Sequence, residues 1–276
     1  MRTANDAILS DYGAFLVGTS ANLPYADLKP FGIETNWVID PTRMQSAVFM
    51  DLLQSLDGLT FGPEGMPMDK WVFYDCADLP GFIYGFAAPV ATLSAEEKRL
   101  FKVPDGYEGP VPFSMYIAIP MHEEGTWFGH NLASLNRIFP ARKLGGLGTI
   151  TKAVALKAFR VQRFVGATQW LSNALYVHIR FGSLDLVTAY TPAHSVAETL
   201  TYAFDVNDEV LRLAAGDPSI QGGFPEPTMH LDGNDVDAMK ALQAQIEGGK
   251  RYRLVGPPDR RDGSVFHPIA ELASSA

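Results

Sequence analysis

Between Ile138 and Thr149 the chain carries Gly145, Gly146 and Gly148, with Arg142 and Lys143 just before them. The apolar stretch before these residues is expected to be a strand ending at Phe139. The stretch after them, 149–159, is alanine-rich and free of Gly and Pro, which favours helix. A strand that turns through glycines into a helix commits the chain to a mixed α/β arrangement. It also has a chemical consequence. A helix start leaves backbone N–H groups unpaired, and its dipole favours negative charge. Glycines let the backbone approach a phosphate closely. Arg142 or Lys143 adds a direct charge contact. The segment therefore reads as a phosphate or pyrophosphate cradle. The competing reading is a turn that only lets a helix pack on a strand.

Known phosphate motifs are testable on the letters. A Walker A loop needs Gly-Lys-Ser/Thr, which is absent. The dinucleotide fingerprint needs a glycine where Thr151 stands. Neither an ATPase nor a nicotinamide site is supported.

The rest of the chain fits a folded protein. Its 276 residues suggest one or two domains at about 150 residues each. Apolar residues make up 47% and charged residues 19%, enough for a core and too little charge for disorder. The single cysteine, Cys76, excludes an intramolecular disulfide and a Cys-built zinc site. No apolar run is long enough for a membrane span, and the first six residues do not resemble a signal peptide. The expectation is a cytoplasmic protein. Its net charge of −9, from 22 basic and 31 acidic residues, argues against a nucleic-acid partner. Arg251, Arg253, Arg260 and Arg261 read as a solvated tail.

Residues 33–39 are expected as a strand. Asp40-Pro41 reads as a helix start, and Met44, Val48, Leu52 and Leu56 form an apolar stripe ending near Gly58. Residues 59–69 read as a loop. Residues 71–76 and 82–87 read as two strands of a hairpin, turning at Asp78-Leu79-Pro80-Gly81; Cys76 and the alternating aromatics would then be core residues. Further strands are expected over 113–119, 161–168, 184–190 and 199–204. A short charged helix is expected near 96–101 and another helix over 235–247, stopped by Gly248. Residues 172–182 suit either a helix or a strand.

The Gly-rich segment resembles the pyrophosphate-binding turn of the GNAT family, the Gcn5-related N-acetyltransferases. That turn follows an apolar strand and often a proline, with Arg or Gln, two residues, Gly, one residue, then Gly or Ala. Ile138, Pro140, Lys143, Gly146 and Gly148 stand at those places, with Lys143 a departure. The resemblance continues through a strand at 161–168, Ala174, His178 and Gly182 (histidine replacing the usual tyrosine), and two closing strands. Asn173 lies about two residues late. It implies an α/β, GNAT-like fold: a mixed, mainly antiparallel twisted sheet flanked by helices. The GNAT-like domain would span 33–205 with an insertion near 91–112. Residues 1–32 would be an N-terminal extension, and 206–276 a C-terminal extension with one helix.

The same resemblance implies acyl transfer from acetyl-CoA or another acyl-CoA to an amine or hydroxyl. Arg142, Lys143, Gly145, Gly146, Leu147, Gly148, Thr149 and Asn173 would hold the cofactor. A backbone N–H of the strand ending at Phe139 would polarise the acyl carbonyl. His178 is the candidate acid, and Glu123, Glu124 and His130 are candidate bases. Gly146→Glu should weaken acyl-CoA binding. The acceptor would be a small molecule or a protein, and a homodimer is allowed. Residues 139–145 also resemble the acetoacetate decarboxylase family, which would make Lys143 a Schiff-base lysine beside the cation Arg142. That family runs into strand where this chain favours helix. A non-catalytic acyl-CoA-binding module is the third reading.

Other groups carry less. Glu123 and Glu124 follow His122, but His-Glu-x-x-His fails at Thr126, and no metal is expected. No Gly-x-Ser-x-Gly elbow exists. His194 sits in a polar turn that reads as surface.

Overall fold

The computed structural model describes residues 6–78, 81–220 and 222–273. The chain divides into two compact units, Met1–Val161 and Gln162–Ala276.

The first unit holds α1 (Asp6–Asp11), β1 (Gly13–Val17), β2 (Thr35–Ile39), α2 (Ala47–Phe61), α3 (Lys70–Asp78), β3 (Phe82–Pro89), α4 (Ala95–Phe101), β4 (Pro110–Pro120), β5 (Thr126–Ser134) and α5 (Leu147–Ala158). Its sheet runs β2-β1-β3-β4-β5, antiparallel except for the parallel β1–β2 pair. Register explains how helices cover both faces. Phe15 aligns with Gly85, and Gly85 with Met115, so these three share a face. Phe15 meets Phe49 of α2 edge-on at 5.0 Å. Ser114, one residue from Met115, points the opposite way and bonds Thr151 of α5 at 2.6 Å. Gly85 has no room for a side chain: a Cβ there would overlap the Ser114 carbonyl oxygen and stand 2.6 Å from the Phe15 ring.

The second unit holds β6 (Arg163–Gln169), α6 (Leu175–His178), β7 (Leu184–Thr188), β8 (Thr199–Asp205), α7 (Asp208–Ala214), β9 (Met229–Asp232), α8 (Val236–Glu247), β10 (Arg251–Leu254), β11 (Asp259–Arg261) and β12 (Ser264–Leu272). Its sheet runs β11-β12-β10-β7-β8-β6, antiparallel throughout, with β9 also on β12. The mixed α/β, mainly antiparallel class expected from the sequence is the one observed.

Several expectations are corrected. Residues 71–76 are helical in α3, so they form no hairpin with β3; Leu79 and Pro80 of the expected turn lie outside the described residues. The buried positions Phe73, Cys76 and Ala77 follow helical spacing, while Trp71 is 62% exposed. Burial pushes the Cys76 thiol up to about 11, with Asp75 adding to it, so it is an inert packing group. Asp40 caps no helix: its carboxylate accepts from the amide and hydroxyl of Thr42, and α2 begins seven residues later and runs past Gly58. The strand expected to reach Phe139 stops at Ser134 and is followed by two tight turns, Leu135–Arg137 and Pro140–Arg142. Residues 206–276 carry α7, α8 and four strands, where one helix was expected. The arginines expected in a solvated tail lie on β10 and β11, and Arg253 pairs with Asp185 at 2.6 Å.

Candidate functional site

Gly146 caps α5 with φ of +91°, a conformation only glycine adopts without strain. The amides of Gly148 and Thr149 stand in the first helical turn, where no intrahelical acceptor exists. Gly145 is exposed, and a Cβ added there would meet nothing within 4 Å. Leu147, Gly148 and Thr149 are buried. Gly148 faces Ser134, whose Cβ would lie 3.4 Å from an added Cβ and whose Oγ would lie 3.8 Å away. That Oγ is buried without a partner, a polar group that sequence reasoning did not single out. The corner is therefore open at Gly145, half-open at Gly146 and closed beyond, and it does not continue as sheet.

The two cations of the turn differ. Arg142 is turned onto α4. Its Nε and Nη2 reach Glu97 at 2.5 and 2.7 Å, Nη2 also meets the Thr92 carbonyl at 3.0 Å, and the guanidinium lies 5.0 Å from the Phe113 ring centre. The Arg142 guanidinium holds the Glu97 carboxyl below its ordinary pKa against the opposing effect of burial. Arg142 thus braces the turn. Lys143 is exposed with φ of +52°. A Schiff-base lysine is activated by a desolvated pocket, which exposed Lys143 lacks.

The candidate bases lie on one hairpin and are not brought together. Glu124 is exposed in the β4–β5 turn. His130 is mid-strand on β5, six residues further along the chain. It is the extra residue of a bulge, because Ile117 pairs with Asn131 while Ala118 pairs with Gly129. Bulges re-aim side chains, often beside active sites. His130 keeps access to solvent, yet loss of hydration lowers its imidazole pKa, an effect partly offset by the Asp57 carboxylate. Asp57, on α2, is fully buried. Its carboxylate accepts the Met68 amide at 2.6 Å and Asn131 Nδ2 at 2.9 Å. Burial raises its pKa, opposed by those two bonds and by His130.

In the second unit, His178 ends α6, buried with its ring 5.1 Å from that of Tyr202. Residues 175–181 are helical, the form implied by the acyltransferase resemblance. Asn173 is exposed and accepts from Arg260 at 3.1 Å. His194 lies in an exposed turn. Among the described residues no cluster of three metal-ligating side chains occurs, and no helix is long and apolar enough to cross a membrane.

No protein-family model matches the chain, and no curated protein matches it. Solved structures do match. An aminoglycoside 6'-N-acetyltransferase from Enterococcus faecium is 12% identical over 60% of this chain and 94% of its own, with a TM-score of 0.36. An IAA acetyltransferase from Bacillus cereus is 12% identical over 55% and 91%, with a TM-score of 0.32. A CoA-dependent acyl-homoserine lactone synthase with SAM and isopentyl-CoA is 10% identical over 84% of this chain and 99% of its own, with a TM-score of 0.40.

Proposed function

We propose that the chain is an acyl-CoA-dependent acyltransferase that moves an acetyl or longer acyl group to an amine or hydroxyl acceptor. The observation that carries this reading is the glycine turn opening α5. There the first-turn amides of α5, a left-handed Gly146 and the buried Ser134 Oγ lie beside an open Gly145. Such an arrangement favours a diphosphate anion. Lys143, exposed at the rim, supplies charge, while Arg142 holds the turn to α4. His130 is the proposed base: a lowered imidazole pKa keeps it neutral and able to accept a proton near neutral pH. His178 belongs to the second unit, and the chemistry proposed here uses residues of the first.

The test is acetyl-CoA binding by calorimetry. Gly145→Glu places a carboxylate in open space without backbone strain and should weaken binding about tenfold or more, a loss of about 1.4 kcal/mol or more. Gly145→Ala, which adds no charge, should bind nearly as the wild type does. Equal affinity in all three proteins would reject the pyrophosphate site.

A further inference from the structure

Asp57 is fully buried on α2, and its carboxylate acts on the His130 imidazole of β5. Two neutral donors, the Met68 amide and Asn131 Nδ2, hold its oxygens. Neutral donors solvate a buried carboxylate without cancelling its charge. Asn131 follows directly on His130, the bulge residue, so the bond from α2 grips β5 at the point where the bulge ends. We infer that Asp57 is a positioning residue for His130: through Asn131 it fixes the bulge that presents the imidazole, and its charge stabilises the imidazolium formed when His130 takes a proton. The chemical use of this pair rests on the acyltransferase reading; the pairing itself does not.

In that step the acceptor nitrogen or oxygen bonds to the acyl carbon and its proton passes to the imidazole. The carbon–sulfur bond breaks, and its electron pair leaves on the CoA sulfur. The base becomes cationic, and a fixed negative charge nearby lowers the cost of that change. The groups around the pair are few. His130 is the titratable group that acts on Asp57, and Asp57 is the one that acts on His130; the paired β4 positions, Ile117 and Ala118, carry no charge.

Asp57→Asn isolates the charge. The new carboxamide oxygen accepts from the Met68 amide. Its NH2 would meet the Asn131 NH2, but Asn131 Oδ1 is buried without a partner. Turning the Asn131 amide over therefore restores the bond, and the fold is kept. The His130 resonance is identified by its loss in His130→Gln and titrated by NMR in the wild type and Asp57→Asn. Its pKa should fall by about one pH unit in the variant, because the opposite charge that raises it is gone. An unchanged value overturns the inference, whether or not the protein is an enzyme. Thiol release from acetyl-CoA with a panel of primary amines gives the second readout. The acid limb of kcat should move to lower pH by the same amount, with KM for acetyl-CoA unchanged. A wild type that releases no thiol overturns the transferase reading alone, and the NMR titration still decides the inference.

Discussion

At the scale of single residues, chemistry and architecture compete for the same groups. Arg142 is the plainest case. Its letter and place suggest an anion ligand, but its donors are spent on Glu97 and the Thr92 carbonyl. Nothing near Arg142 in sequence announces this, because Glu97 lies 45 positions away. The Asp57–Asn131 bond spans 74 positions and was equally illegible. What was legible is local: Gly146 at a helix start and the helical cast of 149–159 follow from backbone rules acting within a few residues. The Arg142 assignment is testable. Arg142→Ala leaves Glu97, with its side chain 9% exposed, without its cation. Breaking a partly buried pair should cost about 2 kcal/mol in urea unfolding. Glu97→Gln should cost a similar amount, and the double variant less than the sum, because both remove one interaction.

At the scale of elements, two of the helices expected from sequence carry side-chain caps. On α8, Asp235 accepts the Ala238 amide and Gly248 ends the helix, as expected from those letters. On α4, Ser94 and Glu97 form a reciprocal capping box. Ser94→Ala should therefore destabilise the protein by about 1 kcal/mol, measured by thermal or urea unfolding. In helix α3 the aromatic run mimics strand alternation. The strands of 229–272 were hidden for another reason. In β12 the inward positions are Val265, His267 and Ile269, so a histidine interrupts the apolar period and Pro268 sits within it. Strand β3 was legible as a strand, but its tightest constraint was not. Gly85→Ala would drive a Cβ into the Ser114 carbonyl, a backbone atom that cannot swing away. We expect a loss of about 3 kcal/mol or more, or failure to fold, read as loss of soluble protein relative to Gly58→Ala. The control is apt because a Cβ on Gly58 meets nothing within 4 Å.

At the scale of the whole molecule, stability against acid follows from a group with no place in the proposed chemistry. His267 is 1% exposed, with its ring 5.0 Å from Trp170 and its Nε2 without a partner. Burial drives its pKa down from 6.5 to about 4, more strongly than the Trp170 backbone bond and Asp232 raise it. The unfolded chain then binds a proton that the folded chain refuses between about pH 6.5 and 4. Stability must therefore fall as pH drops through that window, by at most about 3 kcal/mol at 1.36 kcal/mol per pH unit. Above pH 7 the imidazole is neutral in both states, and its contribution to the pH slope vanishes. Glu97, whose pKa is lowered by Arg142, acts in the same direction but only below the ordinary carboxylate range. Its stabilisation is complete above its unfolded value and is lost as pH falls towards the folded one. His267→Gln separates the two, since an amide cannot take up the proton in either state. The variant should be less stable at pH 7, where packing against Trp170 is lost, yet its melting temperature should vary less between pH 7 and 5 than that of the wild type. Parallel curves for the two proteins over that range would show that His267 is not the group whose protonation loosens the fold.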